Sequence, residues 1–128
     1  MDTYTVINLM DVDDALAGGP GGLEGRFARD QLGSRDLGVS HWRYAPGVRS
    51  AVFHRHAVQE EAYVVTSGSG RALLDGEVVD LRQWDVVRCA PSVVRAFEAG
   101  PDGMDMIAVG GPKPEQSDGE FVEAAWPD

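Results

Sequence analysis

The sequence predicts an all-β sandwich or barrel, and three observations support this. Eight to ten short apolar runs follow one another, most of them rich in Val, Ile, Tyr and Phe. Turn signals separate them, drawn from sixteen glycines and seven prolines. Little of the chain reads as helix. Short strands spaced by turns are the pattern of closed or two-layered β-folds. A length of 128 residues suits one domain with a single core, and 43% hydrophobic with 25% charged residues is ordinary for a soluble globular protein.

Residues 4–9 read as a short first strand. Residues 11–22 are polar and then rich in Gly and Pro, so a loop is expected, with one helical turn near Val12–Leu16. Residues 23–29 and 37–45 are the next strands, the second ending at the turn signal Pro46-Gly47. Ala51–His56 and Glu61–Thr66 follow, then a turn at Ser67-Gly-Ser-Gly70. Arg71–Leu74 and Glu77–Leu81 flank Asp75-Gly76, which suits a type I′ hairpin. Asp85–Cys89, Val94–Ala99 and Met104–Val109 complete the set, with a turn expected at Gly100-Pro-Asp-Gly103. The expected organisation is one domain: N-terminal strands and loop over 1–36, a barrel over 37–110, and an acidic C-terminal tail over 111–128. Phe121, Val122 and Trp126 are expected to anchor that tail on the barrel or on a second subunit, because large aromatics rarely stay in water.

The net charge is −10 and lies at the two ends. Residues 1–36 carry seven acids against three arginines, and residues 98–128 carry eight acids against one lysine. The stretch between them is nearly neutral, with six acids and seven arginines. With no basic footprint, neither nucleic acid nor an anionic membrane is an expected partner. No apolar run is long enough to span a bilayer, and no secretory leader is expected from the first residues. Cys89 is the single cysteine, so no internal disulfide can form; it is read as a small buried strand residue, and the expected location is cytoplasmic.

The chemistry concentrates in residues 47–68. His54 and His56 sit two apart in a strand-like run, so both project to one face, roughly 6–7 Å apart along the backbone. Glu61 follows five residues later, at the head of the next strand. Two imidazoles and a carboxylate form a ligand set suited to Fe(II), Mn(II), Ni(II) or Zn(II), with coordination positions left for a substrate. Tyr63 and Val65 share Glu61's face, and Tyr63 could offer its hydroxyl to a ligand. His41 could add a fourth ligand, although a hydrogen-bonded strand histidine is the plainer reading. Trp42, Tyr44 and Trp84 read as core or interface aromatics.

The run His54-Arg-His56, four residues, Glu61, six residues, Gly68 resembles the first motif of the cupin family, with Gly47 one position early. The spacing to Gly68 selects Glu61 over Glu60. The resemblance covers residues 37–110 and implies a single jelly-roll barrel with an N-terminal strand extension, an extended C-terminal tail, and ligands pointing into the barrel mouth. It also implies a homodimer, which would cover exposed sheet edges. The family's second motif would fall on Trp84, Ala90, Ser92, Arg95 and Ala99, and none of these matches it. Where the family has a fourth ligand, a histidine, this chain has Arg95.

Alternation places Val93, Arg95 and Phe97 on the inner face, so Arg95 is expected to point toward Glu61. Arginine keeps its proton, and a buried guanidinium needs a partner. Three arrangements are open. In one, Arg95 replaces the metal and anchors an anionic or carbonyl-bearing small molecule. In another, it swings aside and leaves a three-ligand metal site of His54, His56 and Glu61. Or the pocket is vestigial and the barrel a dimeric scaffold without turnover. The corresponding functions are a small-molecule binding module, a metal-dependent oxygenase, isomerase or lyase, and a structural module. A barrel alone does not choose among them.

Overall fold

The computed structural model describes residues 3–19, 21–50, 52–112, 114 and 118–128. Its elements in chain order are β1 (Leu23–Phe27), α1 (Arg29–Leu32), β2 (Gly38–Tyr44), β3 (Phe53–His56), β4 (Glu61–Leu74), β5 (Glu77–Arg82), β6 (Val86–Cys89), β7 (Arg95–Gly110) and β8 (Gly119–Val122). All ladders are antiparallel, and the sheet curls into a jelly-roll barrel. β7 is the hub: it pairs with β2 and β4 and, through Arg95 opposite His54, with β3.

Two expected turns are instead parts of long strands. Ser67–Gly70 lies inside the 14-residue β4, and Gly100–Gly103 inside the 16-residue β7. The two glycine-rich stretches face each other, and the β4–β7 register shifts between Val65 and Ser67 and again between Gly68 and Gly70. Here glycine marks bulges that bend both strands around the barrel instead of ending them. At Asp75-Gly76 the turn chemistry works as expected: both residues have positive φ, 49° and 85°, and the chain reverses into β5.

Residues 4–9 do not form the expected strand. They have no regular structure and no ladder partner among the described residues, and lead into a 3-10 turn at Leu9–Asp11. The helical turn expected at Val12–Leu16 is replaced by hydrogen-bonded turns over residues 15–18. The strand expected over 23–29 stops at Phe27 and passes into α1, closed by Gly33 at φ 64°. Ala51, the first residue of the expected strand Ala51–His56, lies outside the described residues, and that strand begins at Phe53.

The core fills the barrel with inward side chains of alternating strand positions: Tyr44, Tyr63, Val65, Phe97, Met104 and Met106 among them. Cys89 is buried there as a free thiol. A smaller cluster of Phe53, Leu73 and Ala96 lies on the outer face, and Trp126 of the tail covers it. The tail thus docks on the barrel. β8 pairs with β3, and Trp126 lies against the guanidinium groups of Arg49 and Arg71, 4.8 and 5.3 Å from its ring centre. Asp128 binds Arg71 through both carboxylate oxygens, and Glu98 bridges Arg49 and Arg71. Phe121 is no anchor: it is 84% exposed.

Candidate functional site at the barrel mouth

β3 and β4 bring the site together. His54 and His56 project from β3 with ring centres 5.4 Å apart and planes nearly perpendicular. Glu61 opens β4, opposite Cys89 of β6 and Gly110 of β7. One ligand atom from each of His54, His56 and Glu61 lies within 4.8 Å of the others. His56 Nε2 is 3.1 Å and His54 Nε2 3.7 Å from Glu61 Oε1.

Two neighbours act on the same carboxylate oxygen. Tyr63 donates its hydroxyl to Glu61 Oε1 at 2.6 Å, and Arg95 Nη2 donates to it at 2.9 Å. Arg95 points inward as alternation requires and is 0% exposed. Its Nη1 donates to the carbonyls of Pro91 and Val93, and its Nε to Tyr63 Oη at 3.4 Å. Four of its five N–H groups are therefore spent on the protein itself. Burial acts to raise the Glu61 carboxyl, but the His54 imidazole, the Tyr63 hydroxyl, His56 and Arg95 outweigh it and hold the group at about 2. The Tyr63 hydroxyl is pushed well above its ordinary value, first by burial and then by the Glu61 charge.

Asp118, which is not among the sequence candidates, joins the site from the C-terminal tail. Its Oδ1 accepts from His56 Nδ1 at 3.0 Å, and its Oδ2 accepts from the backbone N–H groups of Val58 and Gln59 at 2.7 and 2.8 Å. Burial raises this carboxyl, and the two backbone donors and His56 lower it far more, to below the usual carboxylate range. A carboxylate cannot donate, so the hydrogen of this bond sits on His56 Nδ1. Nε2 is then directed at a second carboxylate, Glu61, 3.1 Å away, where it can serve as a ligand atom. Fixing Nδ1 in this way is how outer carboxylates orient metal-binding imidazoles. The donor set of His54, His56 and Glu61 therefore fits a divalent transition metal (Fe, Mn, Ni or Zn), while Arg95 already neutralises part of the charge that such an ion needs.

His41 takes no part in this centre. It is buried on β2 with Nε2 3.0 Å from Asp105 Oδ2, and Arg43 shares that carboxylate. It is the hydrogen-bonded strand histidine that its plainer reading described. Trp84 is exposed, Tyr44 is in the core, and Trp42 reaches the mouth, where Nε1 donates to Ser40 Oγ. The cavity there measures about 340 Å³ and is walled by Phe27, Arg29, Ser40, Trp42, Gln59, His56 and Glu61, with others.

The cupin domain model matches residues 40–110, more than half of the chain. The chain belongs to the cupin family. Solved structures agree on the fold. A cupin protein from Bacteroides fragilis is 22% identical, with a TM-score of 0.73 over 91% of each chain. A sugar phosphate isomerase of the cupin superfamily from Silicibacter pomeroyi is 21% identical, with a TM-score of 0.72 over 86% of this chain and 77% of its own. KdgF from Halomonas is 16% identical, with a TM-score of 0.69 over 90% of this cupin and 97% of its own chain. At these identities the likeness shows the fold alone. Among curated proteins none matches.

Proposed function

We propose that this cupin binds a small polar molecule in its barrel mouth, against His56 and Glu61, and that His54, His56 and Glu61 take up a divalent transition metal only weakly. One observation supports the reading above others: His56 and Glu61 are members of the metal-capable cluster and also walls of the cavity. A volume of about 340 Å³ suits a metabolite-sized ligand. In this reading Arg95 and Tyr63 do not touch the ligand. Both are spent on Glu61, which they hold ionised and oriented. Arg95 supplies a fixed positive charge where a fourth metal ligand would stand, which lowers affinity for a cation without removing the three ligands.

A second reading, a metal-dependent enzyme of oxygenase, isomerase or lyase type, is favoured by the Asp118–His56 bond, which presents Nε2 outward as a ligand atom. A metal held there would serve as a Lewis acid with open positions for a chelating substrate. The sugar phosphate isomerase among the similar structures suggests carbohydrate-derived ligands for either reading. A third reading, a structural dimer without turnover, has no observation of its own in the mouth. We further propose a homodimer, supported by Tyr4 and Val6, 80% and 85% exposed on the N-terminal segment, and a cytoplasmic location, in keeping with the single free thiol of Cys89.

The test is calorimetric titration of the wild type and of His56→Gln with a panel of monosaccharides, sugar acids, sugar phosphates and small dicarboxylates, with and without Mn(II). The expected result is binding of at least one class, lost or strongly weakened in His56→Gln. Ligands that bind both proteins equally would place the site elsewhere.

A further inference from the structure

We infer that Arg29, seated beside Gln59, is the anchor for an anionic group of the ligand, and that the ligand is a hydroxylated molecule bearing one carboxylate or phosphate. The inference rests on the proposed use of the mouth as a binding site and names the class of molecule that fits it.

Arg29 opens α1, and Gln59 lies in the loop between β3 and β4, yet both side chains converge on one patch of bare backbone. Gly38 of β2 and Gly110 of β7 are register partners. A Cβ on Gly38 would stand 2.6 Å from Arg29 Nη2, and a Cβ on Gly110 would stand 2.5 Å from Gln59 Nε2. The two side chains thus lie directly across two glycines where any larger residue would displace them. Both donate to the same carbonyl, that of Gly111, Arg29 Nη2 at 3.3 Å and Gln59 Nε2 at 3.2 Å. They are held from below and beside, and both face the cavity that contains His56 and Glu61.

The contrast with the other arginine at this end of the barrel decides the assignment. Arg95 is buried and its N–H groups are spent. Arg29 is half-buried, and among the described residues its side chain makes one hydrogen bond and no ion pair. A guanidinium has five N–H donors in a planar fork suited to carboxylate and phosphate, so most of its donor capacity remains for a ligand. The rest of the wall sets the other half of the class. Asp30 and Ser40 offer acceptors to hydroxyl groups, and Phe27 and Trp42, packed edge to face at 5.2 Å, give an aromatic side. Asp30 also disfavours a purely anionic ligand, so hydroxyl groups must accompany the charge.

The experiment measures binding of gluconate, glucose 6-phosphate and glucose by calorimetry to the full chain and to Arg29→Gln, Arg29→Lys, Gly38→Ala and His56→Gln. Gluconate and glucose 6-phosphate separate carboxylate from phosphate, and glucose carries no charge. The expected result is that one anionic probe binds the wild type and loses affinity about tenfold to a hundredfold in Arg29→Gln, the range of a charged hydrogen bond. Arg29→Lys should recover part of that loss, and Gly38→Ala, which keeps the charge but shifts the guanidinium, should lose part. Unchanged anion affinity in Arg29→Gln, or an absence of anion binding by the wild type, would overturn the inference. Glucose binding that responds to His56→Gln but not to Arg29→Gln would overturn it while leaving the mouth as the binding site. Anion binding that responds to Arg29→Gln but not to His56→Gln would keep Arg29 as the anion anchor and overturn the placing of the ligand against His56.

Discussion

Asp118 Oδ1 lies 3.0 Å from His56 Nδ1, across 62 residues of sequence. The C-terminal tail is therefore part of the site. β8 pairs with β3, the strand that carries both histidines, and the pairing of Gly119 with His56 sets Asp118 beside the imidazole. The same carboxylate caps the turn at Val58 and Gln59, so Asp118 fixes the β3–β4 loop and the ring orientation together.

Removing Asp118 should loosen both. Asp118→Ala is expected to lower cobalt(II) affinity at the mouth by about tenfold to a hundredfold, the usual effect of deleting an outer partner of a ligating histidine. It should also lower stability by about 1–2 kcal/mol through the two freed backbone donors. Nitrogen-detected NMR of the imidazoles separates positioning from packing. The wild type should show a persistent hydrogen on His56 Nδ1, and the variant should not. A persistent signal in Asp118→Ala would show that Asp118 does not set the tautomer.

The Arg95–Glu61 pair makes a prediction about metal content. Protein purified without a histidine tag should carry well under one equivalent of Fe, Mn, Ni and Zn combined, because the carboxylate already has a cation at 2.9 Å. Arg95→His should raise the content measured by elemental analysis toward one equivalent. Arg95→Met removes the cation without adding a ligand. It should cost about 3–5 kcal/mol in chelator-treated protein, since Glu61 would be left buried without its cationic partner. Near-stoichiometric metal in the wild type would show that Arg95 does not oppose binding.

The tail latch should respond to acid. Glu98 and Asp128 both have carboxyl groups below their ordinary values. For Glu98, burial works upward and the hydrogen bonds from Arg71 and Arg49 outweigh it; for Asp128, the bond from Arg71 dominates. A carboxyl group lowered on folding adds stability in full above its unfolded value. That share disappears as the pH falls through the folded value. The latch should therefore hold at neutral pH and open below about pH 4, the unfolded carboxylate range. The fluorescence difference between wild type and Trp126→Phe should shift to the red over that window, ahead of global unfolding. A difference spectrum that stays constant down to the unfolding transition would mean that the ion pairs do not hold Trp126.

Much of the barrel was legible because strand alternation and Asp-Gly chemistry are local signals. Alternation placed Arg95, Phe97, Glu61 and Tyr63 on the inner face, and the His54–His56–Glu61 spacing pointed to residues that the fold brings together. Asp118 was not legible: it sits in an acidic tail where one carboxylate looks like any other, and its role arises only when β8 pairs with β3. Arg29 was hidden for a related reason. It belongs to a four-residue helix with no sequence signature, and its seat depends on a pairing of Gly38 with Gly110 that only the sheet register supplies. The glycine-rich stretches of β4 and β7 look like turns in the sequence because turns and bulges use the same residue.

That ambiguity can be tested at two glycines with similar backbone. Gly68 has φ 74° and Gly76 has φ 85°. Gly76 lies in a real turn, and nothing stands within 4 Å of where a Cβ would be. Gly76→Ala should therefore cost only the left-handed strain, about 1–2 kcal/mol. Gly68 lies in the bulge of β4, where a Cβ would overlap the carbonyl oxygen of Gly103 on β7, a backbone atom that cannot swing away. Gly68→Ala must pay the same strain and also push the two long strands apart. Its destabilisation in urea should exceed that of Gly76→Ala by about 2 kcal/mol or more, in the range of overpacked cores. Equal costs would mean that the bend between β4 and β7 yields easily and that the close approach at Gly68 does not shape the barrel.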